Sequence, residues 1–350
     1  MLNRILVTGA AGFIGSNLMH FLSRCREVER IVGLDAMTYA GHRDNLSGTL
    51  DDRCGLIEGD IGDARLVEAI LCEEKIDTII HLAAESHVDR SIEDPLCFVR
   101  TNVLGTAVLL HQARQVWKGR SDVRFHHVST DEVFGSLGGE GLFSECTPYD
   151  PSSPYSASKA GSDHLVRAWH RTYAIPVTIS NCSNNYGPFQ HPEKLIPHMI
   201  VSALAGKPLP VYGNGSNIRD WLHVEDHCVA LWRILVAGVP GETYCIGGNA
   251  ERSNLSVVQD ICDALQERRP RAGSYRDLIS FVTDRPGHDH RYAIDATRMQ
   301  RELGWTPART FAEGLGQTID WYLAHSDWID SRRAQGWPGG RQGLLRDGSR

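Results

Sequence analysis

The 350-residue sequence has no Cys-x-x-Cys pair, and its nine cysteines are odd in number and scattered. That argues against a disulfide framework and fits a reducing cytoplasm. Positive charge is not in excess: a formal net charge of −7 leaves no basic stripe for nucleic acid. No long hydrophobic run is present. The longest, residues 228–239, carries Arg233 and is too short to span a bilayer, so no membrane partner is expected. Met1-Leu2-Asn3-Arg4 leads straight into strand-like Ile5-Leu6-Val7 with no secretory signal before it. His81, His87, His288 and His290 show no zinc spacing, and no metal is expected. What remains is an ordinary globular composition, with a length suited to two domains or to one α/β unit with an added lobe.

The first strand-like run feeds Thr8-Gly9-Ala10-Ala11-Gly12-Phe13-Ile14-Gly15-Ser16 and then apolar residues at helical spacing, Ile14, Leu18, Phe21 and Leu22. Gly9 permits a tight turn, Gly12 lets backbone approach a pyrophosphate, and Gly15 lets helix and strand pack closely. Such a loop alone is weak evidence, being also an ordinary strand-to-helix turn. Its context strengthens it. A second strand, Arg30-Ile31-Val32-Gly33-Leu34, ends in Asp35. A carboxylate there accepts from a ribose 2′-hydroxyl and repels a 2′-phosphate, which favours NAD over NADP. No cation follows until Arg43. Further strands are expected over 56–60 and 77–82, a helix over 65–73 and another over 98–117. Repeated strand–helix units predict a Rossmann-type, doubly wound parallel sheet.

One stretch organises the chemistry. Phe125-His126-His127-Val128 reads as a buried strand and ends in Ser129-Thr130-Asp131-Glu132. Open α/β sheets bind ligands outside the carboxyl ends of their strands. Two adjacent carboxylates in such a cleft can have their pKa values pushed apart into an acid and a base. A turn or helix cap is the plainer reading of these four residues by themselves. Residues 136–154 read as a loop, after which Pro154 opens a helix with Tyr155 and Lys159 on one face. A neighbouring ammonium favours phenolate and brings a tyrosine towards use as a general base. A sixth strand, from Val177, ends in Asn181-Cys182-Ser183-Asn184-Asn185.

Beyond residue 185 the rhythm changes to short strands with frequent Pro, Gly and His. Residues 1–185 are therefore read as the NAD-binding domain and 186–330 as mainly a smaller substrate-binding lobe, some of whose later segments can return to the sheet. Residues 331–350, rich in Gly and Arg, read as a disordered tail.

Together these motifs resemble the extended short-chain dehydrogenase/reductase family and, within it, the nucleotide-sugar 4,6-dehydratases. The carriers are residues 8–16, Asp35 with residues 38–41, residues 81–91 and 129–135, Tyr155 to Lys159, residues 181–194 and 219–223, and residues 284–292. Ala10 stands where many members have glycine, and the three spaced glycines are kept. The resemblance implies bound NAD, lined by Gly9, Gly12, Phe13, Ile14, Gly15, Asp35, Ala36, Met37, Thr38, Asp60, Ile61, Leu82, Ala83, Ala84, Ser86, Thr101, Tyr155, Lys159 and Asn185. It implies a sugar nucleotide, with dTDP-glucose the expected one, held by Ser86, Thr130, Asn184, Lys194, Leu195, Pro210, Tyr212, Arg219, Asn254, Asp284 and His288. It also implies a homodimer through helices around 100–117 and 155–173.

The expected chemistry is oxidation at C4 with Tyr155 as base and Thr130 and Lys159 steadying charge. Glu132 then removes the C5 proton, Asp131 protonates the leaving C6 hydroxyl, and hydride returns to C6. A 4-epimerase of the same family needs no Asp–Glu pair. Decarboxylase relatives typically carry Ser where Asp131 stands, as do some dehydratases. A non-catalytic NAD-binding protein would be expected to lose some of the five residues, and all five are present.

Overall fold

The computed structural model describes residues 3–284 and 288–334. Seven parallel strands make the main sheet: β1 (Arg4–Thr8), β2 (Arg30–Asp35), β3 (Cys54–Glu58), β4 (Thr78–His81), β5 (Arg124–Thr130), β6 (Val177–Cys182) and, later in the chain, β10 (Thr243–Ile246). Their spatial order is β10-β6-β5-β4-β1-β2-β3. The order reverses between β1 and β4, and the loops leaving those two strands part there to open a crevice.

Both faces of the sheet are covered, as its apolar strands require. On one face Leu18, Met19 and Leu22 of helix Phe13–Leu22 pack with Leu231 and Ile234 of helix Val224–Ala237 and with Met299. On the other, Val67 and Ile70 meet Leu109, Leu110 and Val166. Thus β10 and helix Val224–Ala237, though late in sequence, complete this sheet and its cover.

The remaining strands form two small sheets. β7 (Asn184–Tyr186), β9 (Ile218–His223) and β11 (Glu251–Ser253) make one in the order β11-β9-β7. β8 (Leu209–Tyr212) pairs in parallel with β12 (Ile279–Val282). A second core, including Met199, Ile200, Trp221, Ile261 and Phe311, lies under helices Leu195–Leu204, Asn254–Arg268 and Phe311–Ala324. Among the described residues no helix is long and apolar enough to cross a membrane.

Three expectations change in detail. The segment predicted as one helix over 98–117 enters as a π-helix, Val99–Gly105, before helix Thr106–Val116. Such widened turns often lie at functional sites. Here the turn carries Asn102, whose side chain accepts from Glu85 N at 2.9 Å and donates to Ser158 Oγ at 2.8 Å, tying the loop after β4 to the Tyr155 helix. The third strand stops at Glu58, so Gly59 and Asp60 lie beyond it. Residues 331–334, expected as part of a tail, continue helix Ser326–Ala334, and Arg332 is buried over the Trp328 ring. Residues 335–350 lie outside the described residues.

Candidate active site

The loop after β1 is shaped by what glycine permits. Gly9 sits at φ +69°, and a Cβ there would come within 2.8 Å of Ala83 N. A Cβ on Gly15 would meet Gly9 O at 1.9 Å, so helix and loop touch only because that atom is missing. Ala10 is accommodated because its partner Gly33 has no side chain: a Cβ at Gly33 would lie 2.7 Å from Ala10 Cβ. Gly12 caps helix Phe13–Leu22 without a side-chain bond, leaving that end to its backbone N–H groups. An open helix N-terminus beside a glycine cradle fits a pyrophosphate.

At the end of β2, Asp35 accepts from Ala11 N at 2.9 Å and from Met37 N at 2.8 Å. Burial pushes its carboxyl up, and the N–H groups of Met37, Ala11 and Gly12 pull it back towards the ionised form. It faces a cleft of about 340 Å³ between the divergent loops. Every position expected to touch the cofactor lines this cleft except Met37. Met37 stands at φ +51° with its side chain against the core, and only its N–H serves the site, through Asp35.

The same cleft takes in Thr130, Asp131, Glu132, Tyr155 and Lys159. β5 ends at Thr130, whose hydroxyl is 3.3 Å from Asp131 Oδ1 and accepts from Glu132 N at 3.3 Å. Asp131 is 2% exposed. Burial first, then the Glu132 and Asp220 carboxylates, push its pKa well above the usual carboxylate range, which favours the protonated acid. Tyr155 lies on the first turn of helix Pro154–Tyr173, which a Ser153–Ser156 capping box and Pro154 start at that point.

The expected pull of Lys159 on Tyr155 is not what dominates in the protein alone. Burial and then Glu132 hold the phenol well above its ordinary value, and a hydrogen bond from Thr130 opposes them. Lys159 Nζ instead donates to Val128 O at 2.9 Å and lies 3.5 Å from His127 Nε2. Behind it stands Asp163, one helical turn further on and fully buried. His127 Nε2 is 3.1 Å from Asp163 Oδ1, while Tyr149 OH (2.7 Å) and Ser129 Oγ (2.9 Å) donate to Oδ2. This set explains why a buried strand tolerates two histidines. Successive side chains face opposite sides of a strand. His126 therefore meets Thr178 Oγ1 at 2.9 Å and Ser180 Oγ at 3.0 Å, and His127 meets Asp163.

A second cavity of about 220 Å³ adjoins the first. Ser86, Asn184, Lys194, Leu195, Pro210, Tyr212, Arg219, Asn254 and His288 line it. Thr130 lies in the first cleft, and Asp284 stands behind His288, its Oδ1 2.7 Å from His288 Nδ1. Arg219 is packed 4.1 Å over the Tyr292 ring and reaches Asp289 O at 3.0 Å. The two cavities share Ser86, Glu132, Asn184, Glu193 and Lys194.

Glu193 and Asp163 escaped the sequence reading. Glu193 is a buried carboxylate at the junction, accepting from Tyr39 OH at 3.2 Å and so joining the loop after β2 to Lys194. Nothing in sequence links it to Tyr39. Asp163 carried a readable signal, since it follows Tyr155 and Lys159 at steps of four on one helix face.

A pyrophosphate cradle, a carboxylate that excludes a 2′-phosphate, and a buried acid–base set facing an adjoining cavity define a NAD-dependent enzyme acting on a second, extended ligand. The family of GDP-mannose 4,6 dehydratase is matched over residues 6–318, and the chain belongs to that family. A dTDP-glucose 4,6-dehydratase of Xanthomonas campestris pv. campestris is 55% identical, over 93% of this chain and 94% of that protein. The dTDP-glucose 4,6-dehydratase 1 of Escherichia coli K12 is 50% identical, over 95% of this chain and 97% of its own length. Among solved structures, a dTDP-glucose 4,6-dehydratase of Streptomyces venezuelae with NAD bound superposes with a TM-score of 0.87 at 44% identity, covering 94% of this chain and 99% of that one.

Proposed function

We propose that this chain converts dTDP-glucose to dTDP-4-keto-6-deoxyglucose with NAD, a step of deoxysugar biosynthesis. The observation that carries this reading is the buried Asp131 beside Glu132, its pKa raised by burial and neighbouring carboxylates, an elimination pair set next to a Tyr–Lys oxidation pair. When bound, the oxidised nicotinamide would supply a positive charge and a reversible hydride acceptor. Gly9, Gly12 and Gly15 hold its pyrophosphate, and Asp35 holds the adenosine ribose. Tyr155 takes the C4 hydroxyl proton, while Thr130 and Lys159 steady the charge that develops. The ketone acidifies C5–H, which Glu132 removes, and Asp131 protonates the C6 hydroxyl so that it leaves as water. Arg219 and Lys194 serve the diphosphate, and Tyr212, edge-on to His288 at 5.9 Å, serves the base.

The test uses dTDP-glucose deuterated at C4 with unlabelled NAD in excess. Label should appear on C6 of the product with no NADH accumulating in solution. Label collecting in free NADH, or staying at C4 of an epimerised hexose, defeats the reading.

Asp35→Ala should narrow the preference for NAD over NADP, because the repulsion of a 2′-phosphate is lost. Dissociation constants for the two cofactors measure it. Equal binding by the unaltered protein would contradict the assigned role.

The protein is proposed to act as a cytoplasmic homodimer. Its nine cysteines are all free, which suits a reducing compartment. Ile92, Leu96, Val99, Leu104 and Tyr173 are exposed apolar residues on helices Val88–Glu93, Pro95–Phe98, Val99–Gly105 and Pro154–Tyr173. Exposed apolar side chains on these helices support pairing of two copies there.

A further inference from the structure

The cleft that fits NAD runs along the carboxyl edge of the sheet. It passes from Asp35 after β2, by Gly9 and Ala83, to Thr130 and Cys182 at the ends of β5 and β6. With the adenosine ribose at Asp35, a dinucleotide laid across the crevice brings its nicotinamide half towards β5 and β6. The chain leaving β6 walls that end with Cys182, Ser183, Asn184 and Asn185. The Asn185 backbone is fixed twice, by its register opposite Leu222 of β9 and by Gln190 Nε2, which donates to Asn185 O at 2.8 Å.

Its side chain is held from a distant element. His227 Nδ1, on helix Val224–Ala237, lies 2.9 Å from Asn185 Oδ1. Asn185 Nδ2 donates to Ser183 O at 3.0 Å, and because a carbonyl only accepts, the sense of the amide is set. Oδ1 therefore faces His227 and takes a donor there. His227 has no exposed surface, and burial pushes its pKa down to about 3, so the neutral ring carries one proton, on Nδ1. Its Nε2 has no hydrogen-bond partner among the described residues, as suits a nitrogen without a proton. The second Nδ2 proton of Asn185 goes to Cys182 Sγ at 3.4 Å. Sulfur is a weak acceptor, and a carboxamide oxygen entering the cleft can take its place.

We propose that His227 is a positioning residue for the cofactor: by donating to Asn185 Oδ1 it holds Asn185 Nδ2 beside Cys182, where that N–H serves the carboxamide of the nicotinamide. The inference deepens the proposed function and rests on its cofactor. It separates from a purely structural histidine in one respect. A histidine that only fills the core acts on the whole fold, whereas His227 acting through Asn185 bears on one end of one ligand. The independent hold on the Asn185 backbone leaves the side-chain amide as the part that His227 controls.

Titrations of the full chain, freed of nucleotide, with NAD and with ADP-ribose test this, because ADP-ribose lacks the nicotinamide and keeps the rest. His227→Leu should raise the NAD dissociation constant about 10-fold, the scale of a hydrogen bond lost with its partner left unpaired. The ADP-ribose constant should stay within about twofold, since that molecule has no carboxamide to lose a partner. His227→Asn, whose amide N–H stands near the place of Nδ1–H, should recover most of the NAD affinity. Asn185→Leu should lose as much as His227→Leu, and the double variant no more than either. Should His227→Leu not fold, nitrogen NMR of the unaltered protein with labelled histidine still reads the contact. The His227 signal, identified by its loss in His227→Asn, should show the proton on Nδ1. Equal weakening of NAD and ADP-ribose, unchanged NAD binding, additive losses in the double variant, no recovery in His227→Asn, or a proton on Nε2 would each overturn the assignment. Binding of NAD with no release of water from dTDP-glucose would instead defeat the proposed function, and these titrations would still stand.

Discussion

Asp131→Asn should arrest the reaction after its first chemical step. On mixing with dTDP-glucose, reduced nicotinamide should build up within the protein, and formation of the 4-keto-6-deoxy product should fall by about 10²–10⁴-fold. The reason is a division of labour read from position. Oxidation at C4 needs Tyr155 and its surroundings, whereas departure of the C6 hydroxyl needs a proton donor. Asp131 is proposed as that donor because burial, then the carboxylates of Glu132 and Asp220, raise its pKa well above the usual carboxylate range. Asparagine retains the volume and some hydrogen bonding but has no acidic proton. Stopped-flow absorbance of the reduced cofactor and mass spectrometry of the sugar follow the two steps separately. A folded, substrate-binding variant that never reduces the cofactor would contradict the division, and so would one whose dehydration slows only a few-fold.

The second large effect concerns stability. Asp163→Asn should lower the unfolding free energy at neutral pH by about 3 kcal/mol, the scale on which breaking a buried ionic set costs a protein. Asp163 has no exposed side-chain surface, and it raises the pKa of buried Lys159, offsetting the burial that lowers it. His127 between them is pushed down to about 4 by burial and by Lys159, so it is neutral at pH 7 and transmits the contact by hydrogen bonding. Urea unfolding measures the loss. Adding Lys159→Met to Asp163→Asn removes both charges and should recover part of the stability, which a double-mutant cycle reads as coupling. The sign with pH follows from the direction of the shift. The Asp163 carboxyl is held below its ordinary value by His127, Lys159 and Tyr149. Its stabilisation is complete above the unfolded value of about 3.9 and is lost as pH falls through the depressed folded value. Asp163→Asn should lack that part of the acid transition.

Much of the site could be read in order along the chain. Gly9, Gly12, Gly15 and Asp35 belong to one strand–loop–helix–strand unit, where spacing dictates geometry, and the structure sets all four around one cleft. Tyr155 and Lys159 share a helix face, so their relation is also local. The weaker expectation was the electrostatic one. Sequence puts Lys159 near Tyr155, but the position of Nζ, on Val128 O and beside His127, depends on which strand lies under the helix.

Residues distant in sequence were harder to place. Glu193 meets Tyr39 across 154 positions, and neither has a local pattern that names the other. Met37 falls in the expected motif yet turns its side chain into the core, because a backbone at φ +51° points it away from the cleft. Segment Ser331–Ala334 looks like tail by composition. It is helix because Trp328 and Asp44 offer Arg332 a place to pack and pair, with Asp44 3.5 Å away.

The sequence by itself determined the parallel α/β class and the NAD-type cradle, because each rests on short-range periodicity or spacing. Tertiary structure alone decided the surroundings and the partners of Asp131, Tyr155 and Lys159. Burial of Asp131 among carboxylates raises its pKa, and the stacking of helix Pro154–Tyr173 on β5 gives Lys159 its place beside His127 and Asp163. Desolvation and charge at a few ångströms set those properties, and both depend on which distant segments the fold brings together.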